Sequence, residues 1–240
     1  MKNEINNNII YGRNPVKEAL RANNVVKVYV TNSFSHKEIS PLLKECHVPQ
    51  IVKSIDELNK LANGGVHQGI AAEIKPINYA NLDDILDKCN MEDNPTLVIL
   101  DGINDPHNLG AIIRSCEIFG VKALLIGKHQ QVPLNATVAK TSAGAINYVP
   151  VCLVGNLNLT IETLKQKGFW VVSADGSGDK DYNKIKYDFP TVLIIGSEGN
   201  GISQLLLKNS DYIVKIPMYG KVNSLNASVA AGILLAEIKR

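Results

Sequence analysis

Three short stretches hold the residue types that could do chemistry. In "DGINDPHNLGAIIRSCEIFGV" (101–121), Asn108 stands at a helix start and Arg114 follows six residues later among Ala111, Ile112, Ile113, Ile118 and Phe119. An arginine in such company needs an anion for its head group. That anion is either a ligand or Glu117, which helical spacing puts within reach at i, i+3. In "LIIGSEGNGIS" (193–203), Gly196, Gly199 and Gly201 permit close backbone approach, and Glu198 is the single charge of the turn. In "IPMYGKVNSLNASVAAGILLAEI" (216–238), a polar loop with Asn223, Ser224 and Asn226 feeds an apolar helix. Amides and hydroxyls donate and accept together, which suits a neutral or mixed-polarity ligand. Capping of the helix by Ser224 or Asn223 explains part of that run and leaves Asn226 spare. The glycine spacing is neither G-x-G-x-x-G nor a Walker loop, so a nicotinamide enzyme and a P-loop enzyme are set aside. His36, His47, His67 and His129 lack metal-ligand spacing, and His107 sits in a turn where it shapes backbone; no metal is expected.

Strands and helices must bring these stretches together. From Ile9, strands 25–30, 50–54 and 68–74 alternate with helices near 14–20, 36–46 and 54–62. Asn14 reads as a helix cap and Pro15 as the first helical residue. Ser54 and Glu57 have capping-box spacing. This is enough for a small α/β/α sandwich. "KPINYANLDD" (75–84) breaks the pattern. The expected organisation is a tail over 1–8, an N-terminal domain over 9–75, a linker and helix over 76–94, and a second domain over 95–240. In that second domain, apolar strands 96–102, 122–126, 148–154, 169–174, 191–196 and 212–216 alternate with helices. Unbroken apolar strands indicate a mostly parallel sheet covered on both faces, with ligands gathering at the carboxyl ends.

The chain has 240 residues and a net charge of +2, with no apolar run near the roughly 20 residues that span a bilayer. Residues 1–79 hold ten Lys/Arg against seven Asp/Glu, a tilt that permits RNA contact. Arg13, Lys17 and Arg21 share a helix face at i, i+4 spacing with Asn14 beside them, as an RNA-contacting or merely solvated basic face. Cys46, Cys89, Cys116 and Cys152 form no C-x-x-C pair, which fits reduced cysteines and a cytoplasmic location.

"DPHNLGAIIR", "LIIGSEGNGIS" and "IPMYGKVNSLNASVAAG" resemble, in order, the three motifs of the SpoU/TrmH family of RNA ribose 2′-O-methyltransferases in the SPOUT superfamily. "YGRNPVKEAL" (11–20) and "VHQGIAAEI" (66–74) further resemble its branch acting on large-subunit ribosomal RNA. The resemblance implies a deep trefoil knot in the second domain and an N-terminal RNA-binding sandwich. It implies S-adenosylmethionine held by Gly196, Ile216 and Leu225 largely through backbone groups, which accounts for the lack of a Rossmann-type acidic ribose ligand. It places catalysis on Asn108, Arg114, Glu198, Ser224 and Asn226, RNA contact on Arg13, Asn14, Lys17 and Arg21, and assembly in a homodimer. The expected reaction is methyl transfer to a guanosine 2′-hydroxyl of large-subunit ribosomal RNA. Transfer RNA as substrate, or a non-catalytic assembly factor on the same fold, are the alternatives.

Overall fold

The structure, a computed structural model, describes residues 8–129 and 131–240; the Asn-rich tail lies outside them except for Asn8. The elements run β1 (Ile9–Tyr11), α1 (Arg13–Arg21), β2 (Val25–Val30), α2 (Ile39–Glu45), β3 (Gln50–Val52), α3 (Ile55–Leu61), β4 (Ile70–Ile74) and α4 (Leu82–Leu86). Then come β5 (Thr96–Asp101), α5 (Pro106–Ile118), β6 (Ala123–Gly127), α6 (Ala136–Thr141), β7 (Val151–Val154), α7 (Leu157–Gln166) and β8 (Trp170–Ala174). Last are β9 (Lys180–Asp181), β10 (Thr191–Gly196), α8 (Gln204–Lys208), β11 (Tyr212–Lys215) and α9 (Ala227–Ile238). Two compact units result. One runs to Asn78 and takes in Pro133–Tyr148; the other comprises Tyr79–Val132 and Val149–Arg240.

The first unit is a four-stranded sheet in the order β1-β4-β2-β3, with only β2 and β3 parallel. Leu58 of α3 packs with Ile9, Tyr29 and Ala71 on one face. Ile10, Val28 and Ala72 belong to the other face by strand alternation and are equally buried, so both faces are covered. The capping box at Ser54 and Glu57 forms as its spacing predicts. Helix α1 starts earlier than expected. Its cap is Gly12 at φ 93, and the Arg13 N–H is satisfied by the Gln68 side chain at 2.9 Å, so Asn14 caps nothing. Pro15 stands third in the helix, where its missing N–H has no intrahelical partner to lose. The expected domain boundary is also crossed again at Pro133 and Tyr148. Lys140 of α6 donates to Tyr11 Oη at 2.5 Å and sits 3.9 Å from its ring centre, while Asn24 donates to Asn147 at 2.9 Å.

The second unit is a seven-stranded sheet, β7-β6-β5-β10-β8-β11-β9, parallel throughout. Leu97, Ile99, Leu125, Val192 and Ile194 face a core that includes Ile161 and Leu164 of α7 and Leu206 of α8. The alternate residues Val98, Leu100, Leu193 and Ile195 are buried on the opposite face. Helices α5 and α9 pack together, and α9 lies on β10. The short β9 and α8 carry no sequence pattern of their own and were not expected.

Thr96 and Thr191 open β5 and β10 side by side and are both buried. The Thr191 hydroxyl donates to the Phe189 carbonyl at 3.0 Å, whereas Thr96 Oγ1 is buried and has no hydrogen-bond partner among the described residues. An unsatisfied buried hydroxyl costs about 1–3 kcal/mol, and an apolar isostere removes that cost. Thr96→Val is therefore expected to raise the urea midpoint, by about 1 kcal/mol of stability, with an unchanged slope.

Candidate active site

Strands β10, β8 and β11 lie side by side, and their carboxyl ends open into one cavity of about 570 Å³. Its walls include Gly196 and Glu198 from the end of β10, Ala174 and Asp175 from the end of β8, and Ile216 and Leu225 beyond β11. That is where an open parallel sheet gathers its ligands, and the volume suits a small organic molecule.

Each wall has a local cause. After Gly196 the chain makes a tight turn, with the Ser197 N–H donating to the Gly201 carbonyl at 3.2 Å and the Gly201 N–H returning to Ser197 at 2.9 Å. Gly201 adopts φ +64, and a Cβ on Gly196 would lie 2.2 Å from the Gly201 carbonyl carbon. Only glycine permits that approach. From Ile216 to Leu225 no residue makes a hydrogen bond to another described residue. The Ser224 hydroxyl lines the cavity and so remains open to a ligand.

Beside the cavity three elements meet in one polar cluster. Asn226 caps α9: its Oδ1 accepts from the Ser228 N–H at 3.0 Å and the Val229 N–H at 3.3 Å. Its amide donates to Glu198 Oε1 at 2.5 Å and to Asn108 Oδ1 at 2.8 Å. Asn108 in turn donates to the same Glu198 oxygen at 3.1 Å. The cap is thus Asn226 rather than Ser224 or Asn223, and the residue that seemed spare performs two tasks. Asn108 caps nothing either. Asp105 caps α5, accepting from the His107 N–H at 2.8 Å with Pro106 as the first helical residue, which leaves the Asn108 amide for Glu198.

Gly196, Ile216, Leu225, Glu198 and Ser224 therefore share the cavity, and Asn108 and Asn226 are bonded to Glu198 at its edge. Arg114 is not brought there. Six residues beyond Asn108 on a helix mean about 9 Å along the axis and about 240° around it. It is exposed, outside the cavity lining, with no ion pair to Glu117 or to any other described residue. Of the four N-terminal residues, Lys17 binds Glu38 at 2.9 Å and Arg21 binds Glu18 at 2.9 Å, so two cations of that face are already paired. Arg13 and Asn14 are exposed.

Asp175 and Lys215 were missed. Asp175 Oδ1 accepts from the Ser177 N–H at 2.9 Å and its hydroxyl at 2.7 Å, leaving Oδ2 open near Gly201. Asp175 thus adds a second carboxylate to the cavity wall beside Glu198. The available signal was an Asp-Gly pair directly after strand β8. Burial pushes the Cys152 thiol up to about 11 and the Cys116 thiol well above its usual range, and no cysteine lines the cavity.

Residues 95–236 match the model of the SpoU rRNA Methylase family, and residues 9–80 match that of RNA 2′-O ribose methyltransferase substrate binding. A protein of Staphylococcus epidermidis named as a TrmH family tRNA/rRNA methyltransferase is 42% identical over 97% of this chain and 95% of its own. The SpoU methyltransferase AviRb from Streptomyces viridochromogenes, solved in complex with AdoMet, superposes with a TM-score of 0.79 at 26% identity, over 96% of this chain and 88% of that one. The TrmH/SpoU tRNA modifying enzyme of A. aeolicus is 31% identical with a TM-score of 0.56, over 65% of this chain and 78% of its own. The parallel sheet is accordingly the α/β knot of the SPOUT superfamily, one of the rare exceptions to unknotted topology. With both its regions matched in order and its length covered almost end to end, the chain belongs to the SpoU rRNA methylase family.

Proposed function

We propose that this chain transfers the methyl group of S-adenosylmethionine to the ribose 2′-hydroxyl of a guanosine in large-subunit ribosomal RNA. The observation that carries the reading is the single cavity at the ends of β10, β8 and β11, bordered by the Asn108–Glu198–Asn226 cluster. The residues present suit that cofactor. Ile216, Leu225 and Met218 offer apolar walls for an adenine, Gly196 lets it approach backbone, and Asp175 and Lys215 face the cavity with charges opposite to its ammonium and carboxylate groups. Bound there, the cofactor supplies an electrophilic methyl group on a sulfonium.

The chain's own residues then position the ribose. Both amide hydrogens of Asn226 are engaged, so Glu198 is fixed and its second oxygen, with the Ser224 hydroxyl, can hold the 2′-hydroxyl in line with the methyl group. Such alignment accounts for a large part of a bimolecular barrier, with effective molarities of about 10⁵–10⁸ M. The guanidinium of Arg114 offers a positive charge and a planar fork of N–H donors. Its role is to grip a phosphate beside the reacting sugar, and its place six residues down the helix from Asn108 suits the phosphate better than the sugar. Exposed Ile118 of α5 and Val229 of α9, on two helices that pack together, leave apolar surface that a homodimer covers. A cytoplasmic location goes with ribosomal RNA as substrate.

Ribosomal over transfer RNA is favoured by the N-terminal sandwich, which matches an RNA substrate-binding family over residues 9–80. The test is methyl transfer to unmodified large-subunit ribosomal RNA and to transfer RNA, followed by mapping of the modified nucleotide. A 2′-O-methylguanosine in the ribosomal RNA supports the reading. Transfer confined to transfer RNA overturns its substrate, and RNA binding without transfer overturns catalysis.

Asp175→Asn keeps the Ser177 contacts and removes the charge. It is expected to weaken S-adenosylmethionine binding about tenfold, measured by calorimetry, since hydrogen bonds to charged groups contribute about 1.5–3 kcal/mol.

A further inference from the structure

The loop between β11 and α9 carries side chains that neither the cavity nor the polar cluster uses. Tyr219 is 96% exposed and Val222 73%, beside Met218 of the cavity wall. Isolated exposed apolar residues are ordinary, but a contiguous run of them on a polar rim marks a contact surface. Met218 lines the cavity and Tyr219 does not, although consecutive Cα atoms are only about 3.8 Å apart. The aromatic ring therefore projects into solvent from a backbone position next to the cavity wall. Gly220 follows it, and Lys221 is the loop's one charge. Between Ile216 and Leu225 no hydrogen bond to a described residue fixes the loop, while its far end is anchored through Asn226 to Glu198.

We infer that Tyr219 is a stacking platform for a nucleobase of the RNA next to the methylated ribose, with Lys221 set for an adjoining phosphate. The inference rests on RNA being the substrate. Proteins that select RNA splay bases out of the stack and lay them on aromatic faces, and every base presents such a face. A ribose delivered to the cavity brings its base to the rim, where Tyr219 is the one aromatic side chain of the loop. The positive charge of Lys221 complements a polyanion. Asn223 and Ser224, a few residues on, belong to the cavity wall, so base platform and sugar site are continuous.

The test compares Tyr219→Ala and Tyr219→Phe with the unaltered chain at one fixed salt concentration. Four quantities are read: S-adenosylmethionine affinity by calorimetry, affinity for a fluorescent single-stranded oligoribonucleotide and a large-subunit ribosomal RNA transcript, single-turnover methylation, and mass by light scattering. Tyr219→Ala should weaken both RNA affinities about tenfold, with cofactor affinity and mass unchanged, and Tyr219→Phe should stay within about twofold because the face is kept. Unchanged RNA affinity in Tyr219→Ala overturns the inference, as does failure of the unaltered chain to bind either RNA. An equal loss of cofactor affinity would make the ring a lid over the cavity instead, and a change of mass would make it a contact between copies. If the unaltered chain binds RNA but transfers no methyl group, the proposed activity fails, while the Ala and Phe affinities still decide the role of Tyr219.

Discussion

Gly196→Ala is expected to abolish measurable S-adenosylmethionine binding. The added Cβ would lie 2.2 Å from the Gly201 carbonyl carbon, 2.3 Å from its oxygen and 2.5 Å from the Ile202 nitrogen. All three are backbone atoms, so no side-chain rotation relieves the clash. The Ser197–Gly201 turn must open, which displaces Glu198 and narrows the cavity. Overpacking of this kind costs about 1–3 kcal/mol and more where backbone has to move. If the whole cost fell on the bound state, 3 kcal/mol would be more than a hundredfold in affinity. Calorimetry of the variant checks this, and a lowered melting temperature should accompany it. Gly199→Ala is the control. Nothing lies within 4 Å of its added Cβ, and its φ is not in the left-handed region, so cofactor affinity should be nearly unchanged.

The second large effect is expected at Asn226. Asn226→Ala removes a helix cap, which costs about 1 kcal/mol of stability. It also removes the two amide hydrogen bonds from Asn226 to Glu198 and Asn108, leaving those two residues held only by their own bond at 3.1 Å. Misplacing a positioning group by about 1 Å can lower turnover about a hundredfold, so single-turnover methylation should fall by that order. Cofactor affinity should fall far less, because Asn226 does not line the cavity. Asn226→Asp separates the two tasks. It retains a good cap and restores stability, but it sets a carboxylate 2.5 Å from Glu198 where an amide had been. Two carboxylates so close repel, so one of them takes up a proton more readily than a lone carboxylate does. The variant should stay slow at neutral pH and recover in part as the pH falls and the pair takes up a proton.

Much of this site is legible in the sequence because its residues stand where strands end. Gly196, Glu198 and Ile216 follow apolar strands directly, and position puts them at the ligand edge of a parallel sheet; Leu225, well beyond its strand, is assigned only by its place in the family motif. What was misread were the helix starts. The Asp105-Pro106 pair is a stronger cap signal than Asn108, and overlooking it hid that Asn108 stands free to reach across to Glu198. Asn226 is hard to read because one amide does two things: its oxygen caps the helix while its nitrogen holds Glu198. Arg114 looked embedded among isoleucines in the linear sequence. On the helix, Leu109, Ile112, Ile113 and Cys116 turn inward while Arg114, Glu117 and Ile118 turn out. Two features could not have been read from local pattern. Asp175 becomes a cavity residue only because β8 lies between β10 and β11, and α6 joins the N-terminal unit through contacts more than a hundred residues apart in sequence.

The most direct measurement is the crystal structure of this chain with S-adenosylhomocysteine bound. The adenosine should lie between Ile216 and Leu225 against the backbone of Gly196, with the sulfur turned toward Ser224 and Glu198. A ligand seated anywhere other than the ends of β10, β8 and β11, or one whose sulfur lies remote from the Asn226 cluster, would contradict the single shared cavity on which the proposed chemistry depends.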